Sequence, residues 1–130
     1  MSTADWLLYA EGDLKTAKAA LEAGVTNNAC FHSHQTAEKC LKAVLLGNEQ
    51  EIPKVHDLLF LIKKAQVYEP GLAQFTEGCR FLNQFYITTR YPDALPGNAA
   101  ASLPTEEDAR QAIEHAEAIL NFTRSIIHTT

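Results

Sequence analysis

Three stretches of this 130-residue chain hold side chains able to do chemistry. The first is His34-Gln35-Thr36-Ala37-Glu38-Lys39-Cys40-Leu41-Lys42. His34, Glu38 and Lys42 recur every four residues, so on a helix they occupy neighbouring rows of one side. Glu38 ahead of Lys42 is the favourable order for an ion pair, worth about 0.2–0.5 kcal/mol on an exposed surface. The plain reading of that pair is a solvated face. The plain reading of His34, which falls in an apolar stripe, is a hydrogen-bonded core histidine. The second stretch is His56-Asp57-Leu58. Asp57 suits a helix N-cap or first turn, and His56 can simply close a loop. The third is Tyr86-Ile87-Thr88-Thr89-Arg90-Tyr91-Pro92-Asp93. Arg90 near a helix end answers the helix dipole, and with Asp93 it can form a capping ion pair. Tyr86, Arg90 and Tyr91 also make an amphipathic platform suited to stacking a base and holding a phosphate. Arg90 would give forked hydrogen bonds to phosphate oxygens, and Lys39 or Lys42 a point charge.

Other chemistries find no support. His32 and His34 are two apart, about 200° around a helix, and cannot chelate one metal. No carboxylate triad or cysteine cluster offers another metal site, so none is expected. There is no glycine-rich phosphate loop and no nucleophile elbow. The net charge of -5 argues against a surface that clings to nucleic acid throughout. Cys30, Cys40 and Cys79 include no Cys-x-x-Cys pair. They read as small buried residues of a reduced, cytoplasmic chain. No apolar run approaches the ~18 residues of a membrane span. Met1-Ser2-Thr3-Ala4-Asp5 lacks the basic start of a secretion signal, so no membrane partner is expected.

The elements that must position these residues read as helices. A first helix is predicted from about Thr3 to Ala23, capped by Ser2 or Thr3 and stopped by Gly24. A second runs from about Asn27 to Leu46, with Asn27 or Asn28 as its cap. Cys30, His34, Ala37, Leu41 and Val44 form its buried stripe. A short helix begins near His56-Asp57 and contains Leu58, Leu61, Ile62 and Ala65. Pro70-Gly71 breaks the chain. A fourth helix carries Leu72, Phe75, Cys79 and Leu82 and ends by about Arg90, because Tyr91 precedes a proline. A flexible loop is expected over 93–104. The last helix opens at Thr105 with Glu106-Glu107-Asp108 in its first turn. The expectation is a single all-α domain over residues 1–130, an antiparallel up-and-down bundle of four long helices plus one short helix.

The three stretches, in this order, resemble the HEPN domain, the "higher eukaryotes and prokaryotes nucleotide-binding" family. The likeness begins at Asp13-Leu14-Lys15-Thr16-Ala17 and covers essentially the whole chain. It rests most on Gln35-Thr36-Ala37-Glu38-Lys39, His56-Asp57-Leu58 and Arg90-Tyr91-Pro92-Asp93 taken together. The resemblance implies a helical bundle, often a homodimer. It implies a module that binds a nucleotide such as ATP or GTP, or acts beside a minimal nucleotidyltransferase in a two-component or toxin–antitoxin-like pair. No cofactor is required. The ligand-facing set would be Gln35, Glu38, Lys39, Lys42, His56, Asp57, Tyr86, Arg90, Tyr91 and Asp93. The alternative is a metal-independent RNase, with Arg90 stabilising the transition state and His34 or His56 as base. RNA is the less favoured partner, because the RNase branch places a His a few residues after its Arg and none follows Arg90 at that spacing. Arg110 and His115 have the spacing but lie inside the last helix, about 140° apart. The isolated chain is therefore not expected to be an enzyme.

Overall fold

The structure, a computed structural model, describes residues 1–86 and 103–127. Helix α1 spans Thr3–Glu22 and opens with a capping box. The Asp5 N–H donates to Ser2 Oγ at 3.1 Å and the Ser2 N–H to Asp5 Oδ2 at 2.9 Å. Gly24 ends it in the left-handed region, φ 79°. The Val25 N–H then reaches back to the Ala20 carbonyl at 2.8 Å, the bond that closes a helix through a left-handed residue.

Helix α2, Thr26–Gly47, follows after three residues, with Val25 at its cap position and no side-chain cap bond. The expected caps, Asn27 and Asn28, lie inside the helix. The turn through Gly24 feeds α2 directly and leaves no extended residue before the asparagines. Helix α3, Leu58–Ala65, is capped by Asp57, whose carboxylate accepts from the Leu59 and Phe60 N–H groups at 3.0 and 3.4 Å. A 3-10 turn over Pro70–Phe75 leads into α4, Thr76–Asn83. Helix α5, Glu106–Ile126, opens with a second capping box, between Thr105 and Asp108.

The chain is all-α, as expected, but the fourth helix is shorter than its pattern implied. Its first six residues wind as 3-10, and its α-helical part is eight residues long. Both parts pack closely on α5. A Cβ on Gly71 would lie 2.7 Å from the Phe122 ring and one on Gly78 2.8 Å from the His115 ring. The described residues therefore form three long helices and two short ones. Of the loop expected over 93–104, only Leu103 and Pro104 fall among them.

Side-chain pairs set the directions. Thr36 Oγ1 lies 3.2 Å from the Ala10 carbonyl, and the Asp13 carboxylate meets both His32 and Lys39, so α2 runs against α1. Lys18 pairs with Glu117 and Arg124 with Glu11, so α5 also runs against α1. Helix α2 packs on α1, α3, α4 and α5 and is the central element. Its buried polar hydroxyls are satisfied internally, Ser33 donating to the Ala29 carbonyl at 2.8 Å. The three cysteines are free and buried, and burial pushes each thiol up to about 12, which leaves them inert. Among the described residues no helix is long and apolar enough to cross a membrane.

Candidate functional site

The i, i+4, i+8 row on α2 faces the connection that leads into α3. His34 is fully buried. Its Nε2 lies 3.0 Å from the His56 carbonyl oxygen. A carbonyl only accepts, so Nε2 carries the proton and Nδ1 is an acceptor. Gln35 Oε1 lies 3.2 Å from Nδ1; with Nδ1 unprotonated, a flip of the amide would turn its NH2 to the ring as donor. Burial is the largest influence on this imidazole and pushes its pKa below the ordinary 6.5, while nearby Glu38 pulls the other way. His34 is thus a neutral clasp between α2 and the connection, which takes it out of direct contact with a substrate.

Glu38 is the hub of the cluster. One carboxylate oxygen accepts from Lys42 Nζ at 3.0 Å and the other from His56 Nδ1 at 2.9 Å. The Glu38 and Lys42 side chains are only 6% and 7% exposed, so this is a buried ion pair rather than the solvated face of the plain reading. His56, by contrast, is 49% exposed. With Nδ1–H given to Glu38, its Nε2 is the lone-pair side. The ring stacks on Tyr86, centroids 4.5 Å apart and planes 13° from parallel. Tyr86 also packs against His34 at 5.2 Å.

The structure thus brings His34, Gln35, Glu38, Lys42, His56 and Tyr86 into one cluster. It does not bring Lys39 there. Lys39 pairs with Asp13 and lies over the Tyr9 ring at 5.9 Å. Asp57 is engaged as the α3 cap and also accepts from Asn83 Nδ2 at 3.0 Å, while Asn83 Oδ1 accepts from the Leu58 N–H at 2.9 Å. It therefore ties α3 to α4. Arg90, Tyr91 and Asp93 lie outside the described residues. Sequence reasoning missed the second polar group, Asp13 with His32 at 2.9 Å and Lys39. The seven-residue spacing of His32 and Lys39, one face of α2, was the available signal. Arg110 pairs with Glu106, and His115 packs on Phe81 with centroids 5.5 Å apart, so the Arg-x4-His pattern has separate partners.

The state of His34 carries a pH prediction. Unfolded, it titrates near 6.5; folded, it titrates lower. Below 6.5 the unfolded chain binds a proton the folded chain refuses. The stability from a neutral His34 is fully present above 6.5 and is lost as pH falls toward the depressed folded value. Urea unfolding between about pH 7.5 and 5 is expected to show stability falling with pH, and His34→Gln is expected to flatten that slope. An unchanged slope in the variant would mean the histidine is charged in the fold.

The HEPN domain profile matches residues 3–126. The chain belongs to the HEPN domain family. Similar proteins agree with this. The HEPN chain is 26% identical over 126 residues to "Putative toxin MJ1304" of Methanocaldococcus jannaschii, covering 91% of this chain and 83% of that protein. The crystal structure of TT1696 from Thermus thermophilus superposes with a TM-score of 0.80 at 32% identity, covering 96% of this chain and 98% of that one. The crystal structure of ST0689, an archaeal HEPN homologue, superposes with a TM-score of 0.78 at 32% identity, covering 96% and 97%.

Proposed function

We propose that this HEPN domain is a nucleotide- and partner-binding module of the cytoplasm. In this reading it acts as a homodimer with a minimal nucleotidyltransferase in a toxin–antitoxin-like pair. The observation that carries the reading is the Glu38-anchored cluster. A buried ion pair costs desolvation and adds little net stability against an apolar pair. Here it ends on one solvent-facing imidazole stacked on Tyr86, a surface suited to a base or ribose. Arg90, four residues beyond Tyr86 in sequence, is assigned to the phosphates. The relative described as a toxin supports the toxin–antitoxin part.

Calorimetric titration with ATP, GTP and their mono- and diphosphates tests the reading. Saturable heat with one of them is expected, lost in His56→Ala and in Arg90→Ala. No heat with any of them, in folded protein, leaves partner docking alone.

The same geometry favours a second reading, a metal-independent RNase. Glu38 holds His56 in the tautomer whose Nε2 can take a proton from a ribose 2′-hydroxyl. The 2′ oxygen would then bond to phosphorus, releasing the 5′ oxygen to take a proton from water and leaving a 2′,3′-cyclic phosphate. Cleavage of single-stranded RNA, lost in His56→Ala, is required. Its absence discards the reading.

A further inference from the structure

A second surface lies on the other side of the connection between α2 and α3. A groove of about 630 Å³ runs between the end of α2 and the outer side of α3. Its apolar walls include Ile52, Pro53, Phe60, Val67 and Tyr68. Val67 is 72% exposed, and Phe60 and Tyr68 are also exposed. Glu49 and Glu51 line the same groove. The cation present, Lys64, lies over the Phe60 ring at 5.1 Å. Among the described residues neither glutamate has an ion-pair partner.

Glu49 adds an independent sign. Helices α1 and α2 end in the same kind of turn, through a left-handed residue. At the end of α1 that residue is Gly24, φ 79°, and at the end of α2 it is Glu49, φ 60°. The bonds are equivalent, Gln50 N–H to the Leu45 carbonyl at 3.0 Å matching Val25 N–H to Ala20. Geometry alone favours glycine at such a position. A glutamate there keeps backbone strain in exchange for a carboxylate in the groove, and retained strain points to use.

We propose that this groove docks a short segment of a partner protein. The segment would place apolar side chains against Phe60, Val67 and Ile52, and a lysine or arginine between Glu49 and Glu51. The charge is complementary, and the exposed aromatic wall supplies the anchor. The groove shares no residue with the Glu38 cluster, so this docking stands or falls apart from nucleotide binding.

The test is an amide NMR titration of the full chain with two capped peptides, acetyl-Leu-Leu-Arg-Arg-amide and acetyl-Leu-Leu-Glu-Glu-amide. The arginine peptide is expected to shift Leu45, residues 49–52, Lys64 and Val67 saturably, and the glutamate peptide to bind about ten-fold more weakly or not at all. Glu49→Gly is expected to raise the urea midpoint, by relieving the turn, while weakening the arginine peptide about three- to five-fold. Phe60→Ala is expected to weaken it at least about ten-fold. Equal response to both peptides, no response to either, shifts outside the groove, or full affinity in Glu49→Gly would each overturn the proposal.

Discussion

Glu38→Ala is expected to cost the fold about 3–5 kcal/mol, the cost of breaking a buried pair and leaving one charge without its counter-ion. The Lys42 ammonium would stay buried with no carboxylate to answer it, and the His56 Nδ1–H would lose its acceptor. The contrast is with pairs such as Lys18–Glu117, whose side chains are half exposed and which are worth about 0–1 kcal/mol. Removing both charges is a different experiment. Glu38→Leu with Lys42→Met puts apolar groups of similar volume in the same space, and such swaps are often neutral or stabilising. Urea unfolding of wild type, Glu38→Leu, Lys42→Met and the double variant measures the coupling. A cost below about 1 kcal/mol for Glu38→Ala would show that water reaches the pair. The double variant has a second use. It keeps the helix packing while freeing His56, so any nucleotide binding it loses is lost for want of positioning rather than folding.

Leu41→Ala is expected to destabilise by about 3–5 kcal/mol, the upper part of the range for burying and then deleting a leucine. Leu41 has no exposed surface and sits on α2. The cost of a cavity depends on how far its walls can collapse. Helix α2 is held by α1, α3, α4 and α5 together, so no single neighbour can move in without leaving another. Against a typical stability of about 5–15 kcal/mol, the variant would be near its folding limit at 37 °C. Leu8→Ala, on the exposed side of α1, is the control and is expected to change stability by no more than about 0.5 kcal/mol. Denaturant midpoints at constant slope decide both. A loss under about 1.5 kcal/mol for Leu41→Ala would mean the bundle relaxes around the gap.

The helices were legible because their apolar residues repeat at the helical period and their ends carry chemical signals. Ser2, Gly24, Asp57 and Thr105 each did what their type predicts. The fourth helix was not fully legible. Leu72 and Phe75 are three apart, a spacing that fits a 3-10 winding as well as an α-helix. The segment also packs Gly71 against Phe122, a contact made 51 positions away that the spacing does not reveal. The site was legible as a row on α2 but not as an environment. Periodicity places Glu38 and Lys42 on one side; it says nothing of what covers that side. His56 and Tyr86 cover it, arriving from 18 and 48 positions beyond Glu38. Lys39 and Lys42 have the same chemistry three residues apart. Asp13 captured one and Glu38 the other, a division that only the packing of α1 against α2 decides.

The antiparallel docking of α5 on α1 has a consequence for how the protein is made. Helices α1 and α2, joined by three residues, can pair as soon as both have left the ribosome. The contacts Lys18–Glu117 and Glu11–Arg124 span 99 and 113 positions. They wait for the last helix, and non-local contacts of this kind form late. Until α5 arrives, the side of Cys40 that meets Thr123 is bare, and so is the rest of that seam of α2. Nascent chains with such open apolar seams are what chaperones hold. Docking of residues 106–126 is the step that covers this seam of α2 and closes the bundle.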